Sequence, residues 1–327
     1  MKLKAYELYR IRLVLFLLVG LAIESRAQLE PLSTQYINSQ LIINPAYTGV
    51  RNAFSMNLVA RHQWMGIKGA PVNYWVAAHS PLNKSKVSLG GAFQSYQAGP
   101  IQNHRLNLYY AYLVRLRHDM FLSMGVSATG DYFNLSNDKL EVIDQDDPSF
   151  INDVTNAFSP NFGAGAFVYT PTFYFGVSMP YVLENKYKVG EVSNVVMQTR
   201  RSLYLSTGYG FGLGKKVYLK PSMLWRMAGK SSSFDINMQM LYEESFSAGV
   251  SYRIDQAVAF LAGFRINKTF QIAYSYDLPI GNVGITKGSH EITLNFDSFS
   301  MIRRNKDRRF LRKKKEEEGS MRSIRYF

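Results

Sequence analysis

The sequence predicts an all-β fold: a transmembrane antiparallel β-barrel of about 14 strands, of the outer-membrane type. Three observations support this prediction. Fourteen segments alternate apolar and polar residues with a period of two, most of them are 8 to 13 residues long, and short turns join many of them. A tilted strand needs about 9–11 residues to cross an outer membrane, whereas strands of soluble proteins average about 5–6.

Residues 1–27 have the pattern of a secretory signal peptide. Four basic residues among the first twelve precede an apolar run of 11 residues, Leu13 to Ile23. Small residues at Ser25 and Ala27 then predict cleavage between Ala27 and Gln28. The run is shorter than the roughly 20 residues of a spanning helix, so a membrane anchor is the weaker alternative.

Residues 28–52 form a predicted N-terminal lead-in on the periplasmic side. Within it, the stretch from Asn44 to Gly49 contains Pro45 and can form neither a long helix nor a long strand. A simple barrel does not require such a segment. One hypothesis is that the lead-in packs into the periplasmic mouth as a plug or docking element.

The barrel itself is predicted over residues 53–297. Its strand candidates are 54–61, 72–79, 86–96, 105–117, 121–133, 161–170, 172–179, 201–211, 216–228, 232–242, 246–253, 257–266, 269–278 and 289–297. A Lys or Arg that faces the middle of a bilayer costs about 2–4 kcal/mol. We therefore expect Lys220, Arg226, Asp235 and Arg265 to face the lumen. A soluble sandwich explains the alternation equally well, but it explains the strand lengths less well.

Loop lengths predict the orientation of the barrel. With 14 strands both chain ends lie on one side, which is periplasmic in barrels of this type. The two longest gaps, 134–160 and 180–200, follow the fifth and seventh strands. Both gaps therefore face outward, whereas the connections after even-numbered strands are short, as in outer-membrane barrels.

The last segment, 298–327, is a charged and basic tail that we expect in the periplasm. It carries a net charge of +7 and the signal peptide +3, which leaves +4 of the total +14 for residues 28–297. The main domain is therefore not predicted to bind nucleic acid. The tail is either a solvated extension or a docking element for peptidoglycan or for a periplasmic partner.

The sequence contains no pattern typical of catalysis. Cysteine is absent, the five histidines lack metal-ligand spacing, and no phosphate-binding or nucleophile motif is present. We therefore predict no catalytic residue, no cofactor and no metal. Trp64 follows the first strand, where an interfacial aromatic girdle or a partner contact would place it.

Several motifs resemble the PorP/SprF family. They are Asn44-Pro45-Ala46-Tyr47-Thr48-Gly49, Arg61-His62-Gln63-Trp64-Met65-Gly66, Gly69-Ala70-Pro71, His79-Ser80-Pro81-Leu82 and Gly288-Ser289-His290-Glu291. The similarity spans almost all of the chain after the signal peptide, in the right order. Residues carried forward as family-motif or partner candidates are Asn44, Pro45, Tyr47, Gly49, Trp64, Gly66, Pro71, His79 and Pro81.

The resemblance implies a non-enzymatic outer-membrane component of the type IX secretion system. Its implied partners are a secreted surface protein or adhesin, the periplasmic part of the machinery, peptidoglycan-associated proteins and the lipid of the outer membrane, and gliding motility is an implied process. Two alternatives stay open at this point. One is a passive porin or hydrophobic-solute transporter, and the other is a barrel enzyme.

Overall fold

The computed structural model describes residues 33–82, 86–117, 119–135, 154–189, 194–214, 216–229, 231–280 and 286–298. The predicted signal peptide, the centre of the predicted loop 134–160 and the predicted tail after Ser298 lie outside the described residues. Two 3₁₀ turns, Gln40–Ile42 and Pro45–Tyr47, precede the first strand. The described residues include no helix long and apolar enough to cross a membrane.

The strands that follow are antiparallel and are joined in chain order. They are β1 (Phe54–His62), β2 (Val72–Pro81), β3 (Val87–Ala98), β4 (Ile101–Arg115), β5 (Phe121–Leu135), β6 (Val154–Tyr169), β7 (Phe173–Tyr181), β8 (Lys186–Val189), β9 (Asn194–Gln198), β10 (Ser202–Tyr209), β11 (Phe211–Leu213), β12 (Val217–Ala228), β13 (Ser231–Tyr242), β14 (Phe246–Arg253), β15 (Ala257–Arg265), β16 (Phe270–Pro279) and β17 (Ser289–Ser298).

The sheet closes on itself. β1 pairs with both β2 and β17, and β12 pairs with β10 and with β11, so that β10 and β11 together occupy one position in the wall. The result is a closed barrel of 14 antiparallel strands, which confirms the predicted fold class. The pair β8–β9 forms a separate two-stranded hairpin outside the wall. Closure leaves the barrel without the open edges that invite aggregation.

The two ends of the barrel differ. We call the end with connections 82–86, 116–120, 170–172, 214–216, 243–245 and 266–269 the turn end, and the other end, which carries 136–153 and 182–201, the loop end. β1 starts and β17 finishes at the turn end. β4, β5 and β6 have 15, 15 and 16 residues and are longer than the other wall strands, and β6 extends past its pairing with β7 at the loop end.

β6 starts seven residues before its predicted position at 161. The sequence prediction placed Pro160 at the end of the loop 134–160. It lies inside the strand because β6 pairs with β7 only from Ala164 to Tyr169, and the backbone at Pro160 faces the side without a paired strand. On that side the Pro160 carbonyl accepts a hydrogen bond from Asn185 Nδ2 at 2.9 Å. Proline is tolerated where no ladder hydrogen bond is needed.

Alternate residues face lipid and lumen, as the sequence pattern indicates. On β4, Leu108 is 60% exposed, whereas its neighbour Asn107 is 4% exposed. On β17, Ile292 and Leu294 are exposed, whereas Glu291 and Thr293 are buried. The outer face is apolar because it replaces water with hydrocarbon, and the buried polar residues line the interior.

Leu108→Arg should strongly destabilise the barrel. Leu108 lies at the middle of β4 on the outer face, where an Arg costs about 2–4 kcal/mol. Gln102→Arg on the same face, near the loop end of the same strand, should cost much less because the arginine reaches the interface. Urea titration of the protein folded into lipid vesicles measures both effects. An equal loss of stability in the two variants would contradict the position of Leu108 at the middle of the bilayer.

Candidate functional site: a barrel filled by its own N-terminal segment

Residues 33–53 run through the inside of the barrel, and we call this segment the plug. Each of these residues is buried except Asn38, Ile42 and Asn52, which are half-buried. The plug starts beside Glu291 near the loop end and reaches β1 at the turn end. The described part of the lead-in 28–52 thus lies within the lumen, deeper than the mouth at which the sequence hypothesis placed it.

Glu291 holds the first residues of the plug. Its carboxylate accepts hydrogen bonds from Ser33 Oγ at 2.7 Å and from the backbone N–H groups of Thr34 and Gln35, both at 3.0 Å. Arg61 donates to the same carboxylate at 3.0 Å. Charged acceptors make stronger hydrogen bonds than neutral ones, so this side chain fixes both the wall and the plug.

Glu291 is one end of a chain of alternating charges along the inner wall. In order, the side chains are Arg226, Asp235, Arg253, Asp277, Arg61 and Glu291. Successive nitrogen–oxygen distances are 2.6, 2.8, 3.9, 2.7 and 3.0 Å. Three cations and three anions alternate, so their charges cancel. Buried charges are tolerated when they are paired in this way.

The middle of the plug fits the wall through Asn44. Its Oδ1 accepts the N–H of Ala46 at 2.9 Å and so caps the second 3₁₀ turn, while its Nδ2 donates to the Ala166 carbonyl at 3.1 Å. A Cβ atom on Gly165 would lie 2.2 Å from Asn44 Oδ1, and a Cβ atom on Gly125 would lie 2.5 Å from the Ala46 nitrogen. The plug therefore approaches the wall where the strands carry glycine.

Aromatic side chains make further contacts between the plug and the wall. The Tyr47 ring packs edge-on against Phe167 with centroids 5.5 Å apart, and against His79 at 5.9 Å. Tyr47 and Phe167 belong to a buried cluster that joins the plug to the inner faces of β1 to β7. Closer to the first residue of the plug, the Tyr36 hydroxyl lies 3.2 Å from Ser222 Oγ. Burial of large rings supplies much of the packing energy at such interfaces.

The turn end of the plug is also fixed. The N–H of Gly49 donates to His79 Nδ1 at 2.9 Å, and Arg51 pairs with Asp297 at 2.9 Å. Gly49 has φ +74°, a conformation that suits glycine, and a Cβ there would collide with Ser88. The hydrogen bond from Gly49 requires His79 Nδ1 to be the unprotonated ring nitrogen.

The structure divides the predicted partner residues into two groups. Asn44, Pro45, Tyr47 and Gly49 belong to the plug, His79 binds it, and the Pro81 backbone lies beside Gly49. Trp64, Gly66 and Pro71 lie in the β1–β2 connection at the loop end. That connection is ordered by its own backbone bonds, which include Gln63 N–H to the Pro71 carbonyl at 2.9 Å.

The predicted lumen-facing residues occupy the inner side of the wall. Lys220, Arg226 and Asp235 are buried there, and Arg265, at the turn end of β15, is half-buried near Gln271. Sequence reasoning did not assign a role to Glu291, Asp277, Gly125 or Gly165. The two acids occupy polar positions of the alternating pattern, and this pattern could have predicted that they face the lumen. Nothing local distinguishes these two glycines from other strand glycines.

A small cavity lies beside the plug among the described residues. This cavity of about 30 Å³ lies between Ile43 on the plug and Trp75, Tyr181 and Arg226 on the wall, which is room for one or two water molecules. Within the described residues, no cluster of three or more histidine or acidic side chains is arranged to hold a metal ion.

A closed barrel with an apolar outer face and a polar, filled interior is a membrane barrel of the outer-membrane type. A sequence model of the family described as type IX secretion system membrane protein PorP/SprF matches residues 25–296. The chain belongs to the PorP/SprF family, which confirms the resemblance found in its motifs. The family is defined by a secretion-system membrane protein and not by a class of enzyme.

Solved structures with a similar arrangement share little sequence with the chain. The outer membrane protein Omp33 of Acinetobacter baumannii is 8% identical, with a TM-score of 0.44, over 75% of this chain and 99% of that one. The toluene transporter TbuX of Ralstonia pickettii is 10% identical, with 0.49, over 80% and 93%. A FadL homologue of Pseudomonas aeruginosa is 12% identical, with 0.46, over 80% and 94%. Among curated proteins no match is found.

Proposed function

We propose that the protein is a sealed, non-catalytic platform in the outer membrane that anchors or receives a secreted surface protein of the type IX system. The observation that carries this proposal is the filled lumen. A barrel whose interior is occupied by its own buried segment, bonded at both ends, offers surfaces for partners rather than a path for solutes. Family membership supports the association with secretion machinery.

The two ends of the barrel suit different partners. Short turns typically face the periplasm and long loops the exterior, so the loop end is the proposed outer side. The connections 136–153 and 182–201, which include the β8–β9 hairpin, are the proposed contact regions for the secreted adhesin. The turn end and the basic tail 298–327 are proposed to contact periplasmic machinery or peptidoglycan-associated proteins. A role in gliding motility would follow if the cargo is a motility adhesin.

The filled lumen also bears on the transporter alternative. Ion pairs, hydrogen bonds and aromatic packing join the plug to opposite sides of the wall. A passive porin needs a continuous aqueous path, and a hydrophobic-solute transporter needs an apolar one. Planar bilayers should therefore show no large steady conductance for the wild-type protein. Such a conductance, measured without any partner, would favour the porin.

Deleting the gene should remove one or more type IX substrates from the cell surface while general outer-membrane composition stays unchanged. Quantitative surface proteomics measures this effect. The full chain should restore the profile. A chain whose β8–β9 hairpin is replaced by a Gly-Ser linker of equal length should insert normally and yet fail to retain the same substrates. Unchanged secretion and attachment of every substrate in the deletion strain would overturn the proposal.

A further inference from the structure

Two histidines face outward side by side at the loop-end rim. β1 and β17 are in register so that His62 lies directly opposite His290. Their strand neighbours Arg61 and Glu291 are buried in the lumen, so both imidazoles point to the membrane side. Among the outward-facing residues of β1, β2, β16 and β17, these are the only two side chains that can carry a positive charge.

Tyrosines orient both imidazoles. The Tyr274 hydroxyl lies 2.6 Å from His290 Nδ1, and the Tyr276 ring is 5.0 Å from the His290 ring. On the other side, the Tyr74 hydroxyl lies 3.4 Å from His62 Nε2. Among the described residues the other nitrogen of each ring, His290 Nε2 and His62 Nδ1, has no hydrogen-bond partner, so it can meet a group outside the protein. The tyrosine contacts therefore orient both imidazole rings, each with one ring nitrogen for an external hydrogen-bonding group.

A lysine lies at the same rim. Lys287 is exposed, and its N–H donates to the Met65 carbonyl at 2.9 Å. Tyr276, which contacts His290, donates its hydroxyl to the Lys287 carbonyl at 3.2 Å. The connection that Lys287 touches also exposes Trp64 and Met65, side chains typical of the zone between hydrocarbon and water. The patch thus combines a cation, imidazoles and interfacial apolar groups.

The turn-end rim of the same strands is different. It carries Phe54, Phe270 and Phe296, whose rings are 6.4 Å apart for Phe54–Phe296 and 5.1 Å for Phe270–Phe296. Phenylalanine needs only an apolar boundary, whereas histidine, tyrosine and lysine can also bind a polar group. An aromatic girdle alone would not require this difference. The outward-facing strand residues of this face therefore differ between the two rims, while exposed lysines, Lys86 and Lys268, also lie in the turn-end connections.

We infer that His62, His290 and Lys287 form a binding site for the phosphate of a lipid headgroup in the leaflet at the loop end. A phosphate oxygen accepts hydrogen bonds, and its negative charge is attracted by an ammonium group at the membrane surface. The acyl chains of the same lipid would lie along the apolar faces of β1 and β17. The site requires a membrane leaflet at this rim and is independent of the cargo.

Native mass spectrometry of the full chain with diphosphorylated lipid A, and with the same lipid after phosphatase treatment, tests the site. The wild type should retain the phosphorylated lipid at least about fivefold better than the dephosphorylated one. The double substitution His62→Phe with His290→Phe keeps an aromatic ring at both positions but removes the ring nitrogens, and it should abolish this preference. Lys287→Gln, outside the strands, should weaken it without any effect on folding.

His104→Phe is the matched control. This histidine also faces outward but stacks on Phe93 at 6.1 Å, away from the patch, and its loss should leave the preference unchanged. Heat-modifiable migration on gels verifies that each variant is a folded barrel. Equal retention of both lipids by the wild type would overturn the site, and so would an unchanged preference in the double and Lys287 variants. Displacement of the lipid by an equal concentration of inorganic phosphate would show a general anion site instead.

Discussion

Gly165→Val should displace the plug from the wall and open the barrel to ions. A Cβ atom at this position would lie 2.2 Å from Asn44 Oδ1. Asn44 cannot move aside without losing its bonds to Ala46 N–H and to the Ala166 carbonyl. Overpacking of this kind costs about 1–3 kcal/mol, which changes the population of the displaced plug roughly 5- to 150-fold. Planar bilayer recordings should therefore show openings that the wild type lacks.

A single thiol can report on the position of the plug. The chain contains no cysteine, and Ser39 on the plug is buried, with an Oγ that makes no hydrogen bond within the described residues. In a Ser39→Cys background, a membrane-impermeant maleimide should react at least about fivefold faster when Gly165 is replaced by valine. The maleimide reaction and the bilayer current measure the same displacement by independent means.

Gly91→Val is the control for Gly165→Val. Gly91 is also a strand glycine, but a Cβ there would meet nothing closer than 3.6 Å and would point away from the lumen. This variant should keep the low conductance and slow labelling of the parent. If both valine variants behave like the parent, the plug is not seated against Gly165 as described. If both conduct, the effect is a general loss of β-sheet order.

The fold was predictable because its main determinant is periodic. Alternation with a period of two predicted every strand of the barrel wall, since the same physical rule applies along each strand. The rule failed where the pairing between strands, and not the alternation of residues along one strand, determines where a strand begins. β6 continues through Pro160 because one side of that strand has no paired neighbour, and a single sequence does not reveal this. The β8–β9 hairpin, short and outside the wall, was likewise not predicted.

The plug was predictable as a segment but not in its position. Pro45 and Gly49 showed that the chain before β1 is not a strand. Its depth depends on contacts between residues far apart in the chain, such as Ser33 with Glu291 and Asn44 with Ala166. Those contacts follow from barrel closure and strand register, which local patterns do not encode. The interior position of charged residues followed from the cost of charge in lipid, whereas their pairing did not.

Glu291→Ala should destabilise the barrel and release the first part of the plug. The substitution leaves Arg61 with Asp277 as its remaining charged partner in the described network and removes the acceptor for Ser33, Thr34 and Gln35. Removing one partner of a buried ion pair costs about 3–5 kcal/mol. Urea unfolding of the protein in lipid vesicles should therefore shift to a markedly lower midpoint.

The exposed pair Lys216–Glu243 provides the control for Glu291→Ala. Glu243→Ala also removes a carboxylate from a salt bridge, but this pair lies in solvent at the turn end, where such pairs contribute little. Its midpoint and the labelling of Ser39→Cys should match those of the parent, whereas Glu291→Ala should lower the midpoint and accelerate labelling. Lower stability with unchanged labelling would mean that Glu291 supports the wall alone. In that case the plug would be held by Asn44 and the Arg51–Asp297 pair, and its two ends would act independently.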